Sequence, residues 1–166
     1  MLKLKESSDV FALQIFLSSG EKVKGVSRKG KEFFTFDTNL TETIQGLFVE
    51  NTYIWTSGEY SYNVFENAQE LYSYICPDKI NDFVCASVTE TGNYDGVLGC
   101  QDRKIRVLQS DFPIMECAVD QPVTTLGVYK STEASEELFK SPPDSEVLLY
   151  GTQGGQVGQL FVSRPR

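Results

Sequence analysis

The stretch CQDRKIRVLQ, residues 100–109, decides how the rest of the chain is interpreted. Its QDR triplet is typical of a hairpin turn, and Ile105 and Val107 then alternate with charged residues, as in a β-strand. Lys104 and Arg106 fall on the face opposite these two apolar residues. We expect both cations to be wetted near a rim of the sheet, serving solubility and register. A binding site for an anionic group is the alternative.

Three other stretches repeat this order of apolar run, tight turn and alternating run. Each of the first three hairpins is followed by a further strand-like run, namely KEFFTFDT, QELYSYIC and FPIMECAV. Each of the four hairpins is also preceded by a strand-like run of its own, namely MLKLKE, TIQGLFVE, INDFVCAS and VTTLGVYK. Four strands per repeat and a period near 40 are typical of propeller blades. The turns begin at positions 20, 58, 101 and 154 and comprise Gly20-Glu21-Lys22, Gly58-Glu59-Tyr60, Gln101-Asp102-Arg103 and Gly154-Gly155-Gln156.

The repeat therefore predicts an all-β fold class, a β-propeller of about four blades with four antiparallel strands each. The last blade lacks its outermost strand, which leaves about 15 strands. Ile105 and Val107 should face a neighbouring blade, and the run VLLY at 147–150 should be buried on both sides. We expect one domain over residues 1–166, with approximate blades 1–37, 38–76, 77–119 and 120–166.

The composition, net charge and apolar runs of the chain argue against several classes of protein. The chain has 166 residues, 40% of them hydrophobic, which suffices for a globular core. Its net charge of −8 argues against nucleic-acid binding and disfavours adhesion to an anionic membrane. No apolar run approaches the roughly 18 residues of a membrane span, and MLKLKESSDV has no apolar signal region. We therefore expect an intracellular chain.

The residue types needed for metal binding and nucleophilic catalysis are scarce. Cys76, Cys85, Cys100 and Cys117 form no CxxC pair, and the chain has no histidine. Structural zinc needs closely spaced thiolates or imidazoles, so we expect no metal and no cofactor, and buried reduced thiols instead. A serine or cysteine nucleophile would also lack its usual imidazole base, so no catalytic residue is predicted.

Other candidate sites favour structural roles. Asp78, Asp82 and Glu136-Glu137 lie in turns or loops, where carboxylates serve local hydrogen bonding more often than acid–base chemistry. The glycine-rich GTQGGQVG at 151–158 lacks the lysine and helix of a phosphate loop and predicts a hairpin. The basic run SRKGK at 27–31 predicts a solvated turn, with an anchor for an acidic partner as the alternative.

The longest connection, STEASEELFKSPPDSE at 131–146, leaves two interpretations open. Glu133 to Lys140 could form one or two helical turns, capped by Ser131 or Thr132 and stopped by the following prolines. Long loops are often functional, but disorder explains the length equally well.

Four stretches resemble the Bardet–Biedl syndrome 7 β-propeller family, and the resemblance runs in register over about residues 2–162. They are SRKGKEFFTFDTNLTETI (27–44), PDKINDFVC (77–85), CQDRKIRVLQ (100–109) and LLYGTQGGQVGQLFV (148–162). Family members are subunits of the BBSome, an adaptor complex of cilia. The family's propeller has seven blades, so the resemblance implies that the chain is a partial β-propeller, a fragment of that N-terminal propeller.

The resemblance implies a non-enzymatic scaffold in ciliary membrane-protein trafficking. It implies contacts with other BBSome subunits, membrane contact only through the complex, and localisation to the cytoplasm, cilium and ciliary basal body. It carries over no catalytic or binding residues. Uncovered blade faces would favour self-association. The alternative function is a generic small propeller that binds a ligand or ion in its central channel, with Asp82 pointing into that channel. A glycosidase-type enzyme would need two facing carboxylates, and the sequence shows no such pair.

Overall fold

The computed structural model describes residues 14–89, 93–130 and 146–160. Over these residues every regular element is a β-strand, and the strands form four antiparallel sheets of three or four strands. The chain divides into two compact units, Met1–Pro77 and Asp78–Arg166, and each unit holds two of the sheets. No helix in these three ranges is long and apolar enough to cross a membrane. The predicted all-β class is confirmed.

In the first unit, one sheet has the strand order β1-β2-β3 and the other the order β4-β5-β6-β7. Within each sheet, every strand pairs antiparallel with the next along the chain, as short hairpin connections require. The strands are β1 (Gln14–Ser19), β2 (Lys22–Ser27), β3 (Glu32–Asp37), β4 (Gly46–Glu50), β5 (Tyr53–Ser57), β6 (Ser61–Glu66) and β7 (Gln69–Ile75).

The core of the first unit lies between its two sheets. Val23 and Phe34 of the first sheet pack in one cluster with Ile54 and Phe65 of the second. The rings of Phe36 and Phe65 meet edge to face with centroids 5.2 Å apart. Full burial of a side chain of this size contributes about 1.5–3 kcal/mol, so this apolar contact holds the two sheets together.

The second unit repeats the arrangement, with one sheet in the order β8-β9-β10-β11 and the other in the order β12-β13-β14. Its strands are β8 (Ile80–Ala86), β9 (Asp95–Cys100), β10 (Lys104–Gln109), β11 (Phe112–Ala118), β12 (Val123–Lys130), β13 (Glu146–Thr152) and β14 (Val157–Leu160).

The two sheets of the second unit meet closely because one residue in the contact is a glycine. Ile105 and Val107 are fully buried in a cluster that includes Val123 and Leu126 of the adjoining sheet. They therefore face a neighbouring sheet, as the alternation predicts. A Cβ atom on Gly99 would lie 2.6 Å from the Cγ1 atom of Val123. No larger residue fits there without moving β12 away from β9.

The four tight turns lie where the repeat predicts them, between β1 and β2, β5 and β6, β9 and β10, and β13 and β14. Gly20 and Gly155 adopt positive φ angles of 62° and 83°, which glycine tolerates without steric cost. Arg103 closes the β9–β10 turn with a φ of 63°.

The run at 147–150 departs in part from the prediction. Val147 and Leu148 are buried, but Leu149 and Tyr150 are only half-buried. Their part of β13 pairs with the short strand β14, where the Tyr150 ring lies over Gly158 in place of a side chain. The structure gives 14 strands over the described ranges. The predicted strand MLKLKE and the loop at 131–145 lie outside those ranges.

Candidate interaction surface

Arg106 does not lie on a wetted face, and that prediction was wrong. The residue is 1% exposed. Its Nη1 atom donates to Asp102 Oδ1 at 3.0 Å, and its Nε atom donates to Glu116 Oε1 at 2.8 Å. Burial is possible because β10 is an interior strand and carboxylates from the preceding turn and from β11 meet the guanidinium. Lys104 stays half-exposed, and its Nζ atom lies 2.8 Å from Glu116.

The cations Lys104 and Arg106 and the carboxylates of Asp102 and Glu116 form a cluster in which opposite charges stabilise one another. The hydrogen bonds of Arg106 hold the pKa of Asp102 below its ordinary value, against the opposing effect of partial burial. Lys104 and then Arg106 lower the pKa of Glu116 in the same way. Both carboxylates therefore stay ionised at neutral pH, and they neutralise the two cations. The cluster is a structural ion network within the second unit and offers no open site to an anionic ligand.

The carboxylates singled out in the sequence are used by the backbone. Asp78 Oδ1 accepts the N–H of Lys79 at 2.7 Å. Asp82 Oδ1 accepts from Phe83 at 2.8 Å, and its Oδ2 accepts from Leu126 at 2.6 Å. Asp82 lies within strand β8, so its predicted place in a turn or loop was wrong. It ties β8 to β12, with a backbone donor on each oxygen. Within the described ranges, no three His, Cys, Asp or Glu side chains are placed to hold a metal ion. Glu136-Glu137 lie outside these ranges.

The glycine-rich stretch is a hairpin, as predicted. Thr152 accepts the N–H of Gly155 through its carbonyl at 3.0 Å and the N–H of Gln156 through Oγ1 at 3.2 Å. These amides are therefore satisfied inside the turn and do not form a cradle for phosphate.

The cysteines are free thiols, and three of the four are buried. Burial in an apolar setting raises the pKa of Cys85, with a smaller effect from nearby Asp95. Cys85 is therefore a packing residue and not a nucleophile. Cys117 on β11 is half-exposed, so the prediction of buried thiols holds for Cys76, Cys85 and Cys100 only.

The basic run at 27–31 forms the tight connection between β2 and β3, as predicted. Gly30 has a φ of 77°, and its N–H donates to the carbonyl of Ser27 at 2.8 Å. Arg28, Lys29 and Lys31 are exposed on this turn.

Two edge strands expose apolar side chains whose exposure was not predicted from the sequence. β7 and β11 are the outermost strands of their sheets. Ile75 on β7 is 68% exposed and Phe112 on β11 is 67% exposed; Leu71 and Ile114 are also exposed. Unpaired strand edges with apolar side chains are surfaces on which other chains can pack. The repeat marks these strands as the fourth of each blade, but alternation alone does not predict how far an outermost strand is uncovered.

Four antiparallel sheets of blade size define the chain as a β-propeller protein. The crystal structure of BBS1N in complex with ARL6DN, soaked with mercury, matches with a TM-score of 0.72 and 14% identity, over 94% of this chain and 45% of that one. The WD40 beta propeller domain of Doa1 matches with a TM-score of 0.66 and 11% identity, over 94% of this chain and 48% of that one. Because the chain covers under half of each of these propellers, its fold is that of a partial propeller.

The chain belongs to the BBS7 beta-propeller family, whose profile matches residues 1–166. It is 33% identical over 154 residues to the mouse protein BBSome complex member BBS7, covering 92% of this chain and 20% of that protein. It is 26% identical over 152 residues to BBSome complex member bbs-7 of Caenorhabditis elegans, covering 90% of this chain and 20% of the relative. The chain thus spans about a fifth of the length of these curated relatives. The resemblance seen in the sequence is confirmed.

Proposed function

We propose that the chain is a non-enzymatic scaffold of a BBSome-type complex that acts in ciliary membrane-protein trafficking through protein–protein contacts. The observation that carries the proposal is the 33% identity, over 92% of the chain, to a mouse protein named as a BBSome complex member. On this proposal the chain works in the cytoplasm, the cilium and the ciliary basal body, and it meets membranes only through the assembled complex.

The structure supports contact chemistry over catalysis. Asp82 and Arg106, the most prominent charged groups of the sequence motifs, are tied to internal partners. The exposed apolar residues of β7 and β11 instead provide area for packing against other chains. The solved neighbour BBS1N, a propeller of similar fold, is itself in complex with a protein, ARL6DN.

We also propose that the two units form one partial propeller domain over residues 1–166, with blades near 1–37, 38–76, 77–119 and 120–166. Single propellers that match 94% of the chain support this.

The uncovered edges support self-association as a second kind of contact. Sedimentation of a dilute sample tests self-association, because a clean monomer of 18.6 kDa would contradict it.

The scaffold proposal is tested by capture of purified BBSome subunits on the immobilised chain. We expect at least one subunit to be retained in stoichiometric amount. The matched control is the WD40 domain of Doa1, which shares the fold at 11% identity and should retain none. A chain that is folded by circular dichroism and still retains no subunit would overturn the proposal. Calorimetric heat on titration with divalent cations would instead favour the alternative of a ligand or ion in the central channel.

A further inference from the structure

Four cations in the described ranges, Lys22, Lys24, Lys104 and Arg106, are neutralised by nearby carboxylates. Lys22 lies 3.8 Å from Asp37, and Lys24 lies 3.2 Å from Glu32. Lys104 and Arg106 share Glu116 in the ion network of the second unit, and Arg106 also pairs with Asp102. A protein of net charge −8 has carboxylates to spare for such pairing.

The three cations of the basic turn, residues 27–31, are not paired in this way within the described ranges. Arg28, Lys29 and Lys31 are exposed, and within the described part of the chain their side chains make no hydrogen bond and no ion pair. The nearest carboxylate in sequence, that of Glu32, is already bonded to Lys24 and Thr35. These bonds lower the pKa of Glu32, the bond from Thr35 most of all, so it stays charged and occupied.

The turn is also fixed in shape. Ser27 accepts the N–H of Gly30 at 2.8 Å and donates its own N–H to the carbonyl of Lys31 at 2.8 Å. Its hydroxyl accepts the N–H of Lys31 at 3.2 Å. Because the backbone is held, binding a ligand at this turn orders side chains only, which lowers the entropic cost of association.

An apolar surface adjoins the cations. Phe33 follows the turn and is 43% exposed. Its ring is anchored edge to face on Phe16, with centroids 5.8 Å apart, and lies over Gly25, where a Cβ atom would collide with it. Phe33 lies only two residues beyond Lys31 in the chain, so an exposed aromatic ring follows the three cations directly.

We propose that the basic turn docks a short acidic segment of a partner protein, in which two or three carboxylates meet the cations and an apolar side chain packs on Phe33. A protein segment fits better than a longer polyanion. Three cations on one turn span only a few residues, whereas the surrounding charge of −8 repels nucleic acid and an anionic bilayer. Over a Debye length of about 10 Å a short peptide feels mainly the local charge. The inference rests on the proposed scaffold role, because it names one contact that a scaffold would make.

The test is fluorescence anisotropy with the full chain and a labelled octapeptide of Glu and Asp around a central Leu-Phe pair. Neutralising the turn as Arg28→Gln, Lys29→Gln and Lys31→Gln together should weaken binding about tenfold, since exposed ion pairs contribute modestly and additively. Raising the salt from about 0.1 M to about 1 M should abolish most of the difference, because the Debye length falls from about 10 Å to about 3 Å.

The matched control removes the same charge elsewhere, as Lys79→Gln, Arg103→Gln and Lys104→Gln, and should change binding less than about twofold. Equal weakening by both triple variants, or no binding by the wild-type chain, would overturn the proposal. So would binding to phosphatidylserine vesicles that depends on the turn while the peptide fails to bind. None of these outcomes bears on capture of BBSome subunits, so the scaffold proposal is tested separately.

Discussion

Replacing Arg106 by methionine tests the physical claim that a buried cation holds the β8-β9-β10-β11 sheet together. Methionine keeps most of the apolar stem of this residue, which is 1% exposed, but removes the guanidinium that is hydrogen-bonded to Asp102 and Glu116. Breaking a fully buried pair costs about 3–5 kcal/mol. Here the side chains left behind are 24% and 39% exposed and keep part of their hydration, so we expect a loss of about 2–3 kcal/mol.

The loss should be visible in urea unfolding followed by circular dichroism, and in faster hydrogen exchange of residues 104–109. In a chain of this size each kcal/mol lowers the Tm by roughly 2–4 °C. The matched control is Lys104→Met, which removes a half-exposed ion pair and should cost less than about 1 kcal/mol.

Acid provides a second readout of the same network. Because the pKa values of Asp102 and Glu116 are lowered in the folded chain, their stabilisation is complete above about pH 5 and is lost as the pH falls through the folded values. The stability gap between the wild-type chain and the Arg106→Met variant should narrow over this range. A variant as stable as the wild type at neutral pH, or a gap that does not change in acid, would refute the reasoning.

Two further variants test how close contacts shape each unit. Gly99→Ala should destabilise the second unit by about 1–3 kcal/mol in urea unfolding, because the new methyl group would lie 2.6 Å from Val123 Cγ1; an unchanged midpoint would show that β12 moves freely. Glu42 accepts hydrogen bonds from Tyr60 N at 3.0 Å and from Ser61 N and Oγ at 3.1 and 2.9 Å. Partial burial alone would raise the pKa of Glu42, but these bonds outweigh it and hold the pKa below its ordinary value. Glu42→Gln should therefore lower the free energy of unfolding by about 1–2 kcal/mol at neutral pH. The difference from the wild type should shrink as the pH falls below about 4, because the carboxylate is then protonated. A difference that does not change with pH would rule out a contribution from the charge of Glu42.

The sequence predicts the strand order and the four hairpin turns because both depend on local chemistry. Gly20 and Gly155 mark turns that need positive φ, and the alternation of Ile105 and Val107 fixes which face of β10 meets the next sheet. Local patterns of this kind survive folding because the hairpins pair strands that are adjacent in the chain.

Burial on the other face of β10 could not be predicted from the same pattern. Alternation assigns Arg106 to the face opposite Ile105, but it does not say whether that face is covered. Its burial depends on Glu116, which lies ten residues away on the adjoining strand and pairs with Arg106 in register. The exposure of Phe112 is a similar case, since it depends on β11 being an outermost strand.

The most direct measurement of the proposed role is an exchange of segments in mouse BBS7, in which this chain replaces the 154 residues that it matches. The chimeric protein would be co-expressed with the remaining mouse subunits and analysed by size-exclusion chromatography. If the chain acts as a BBS7-type propeller scaffold, the chimera should elute within the assembled complex. A chimera that is folded and soluble but elutes alone would contradict that role.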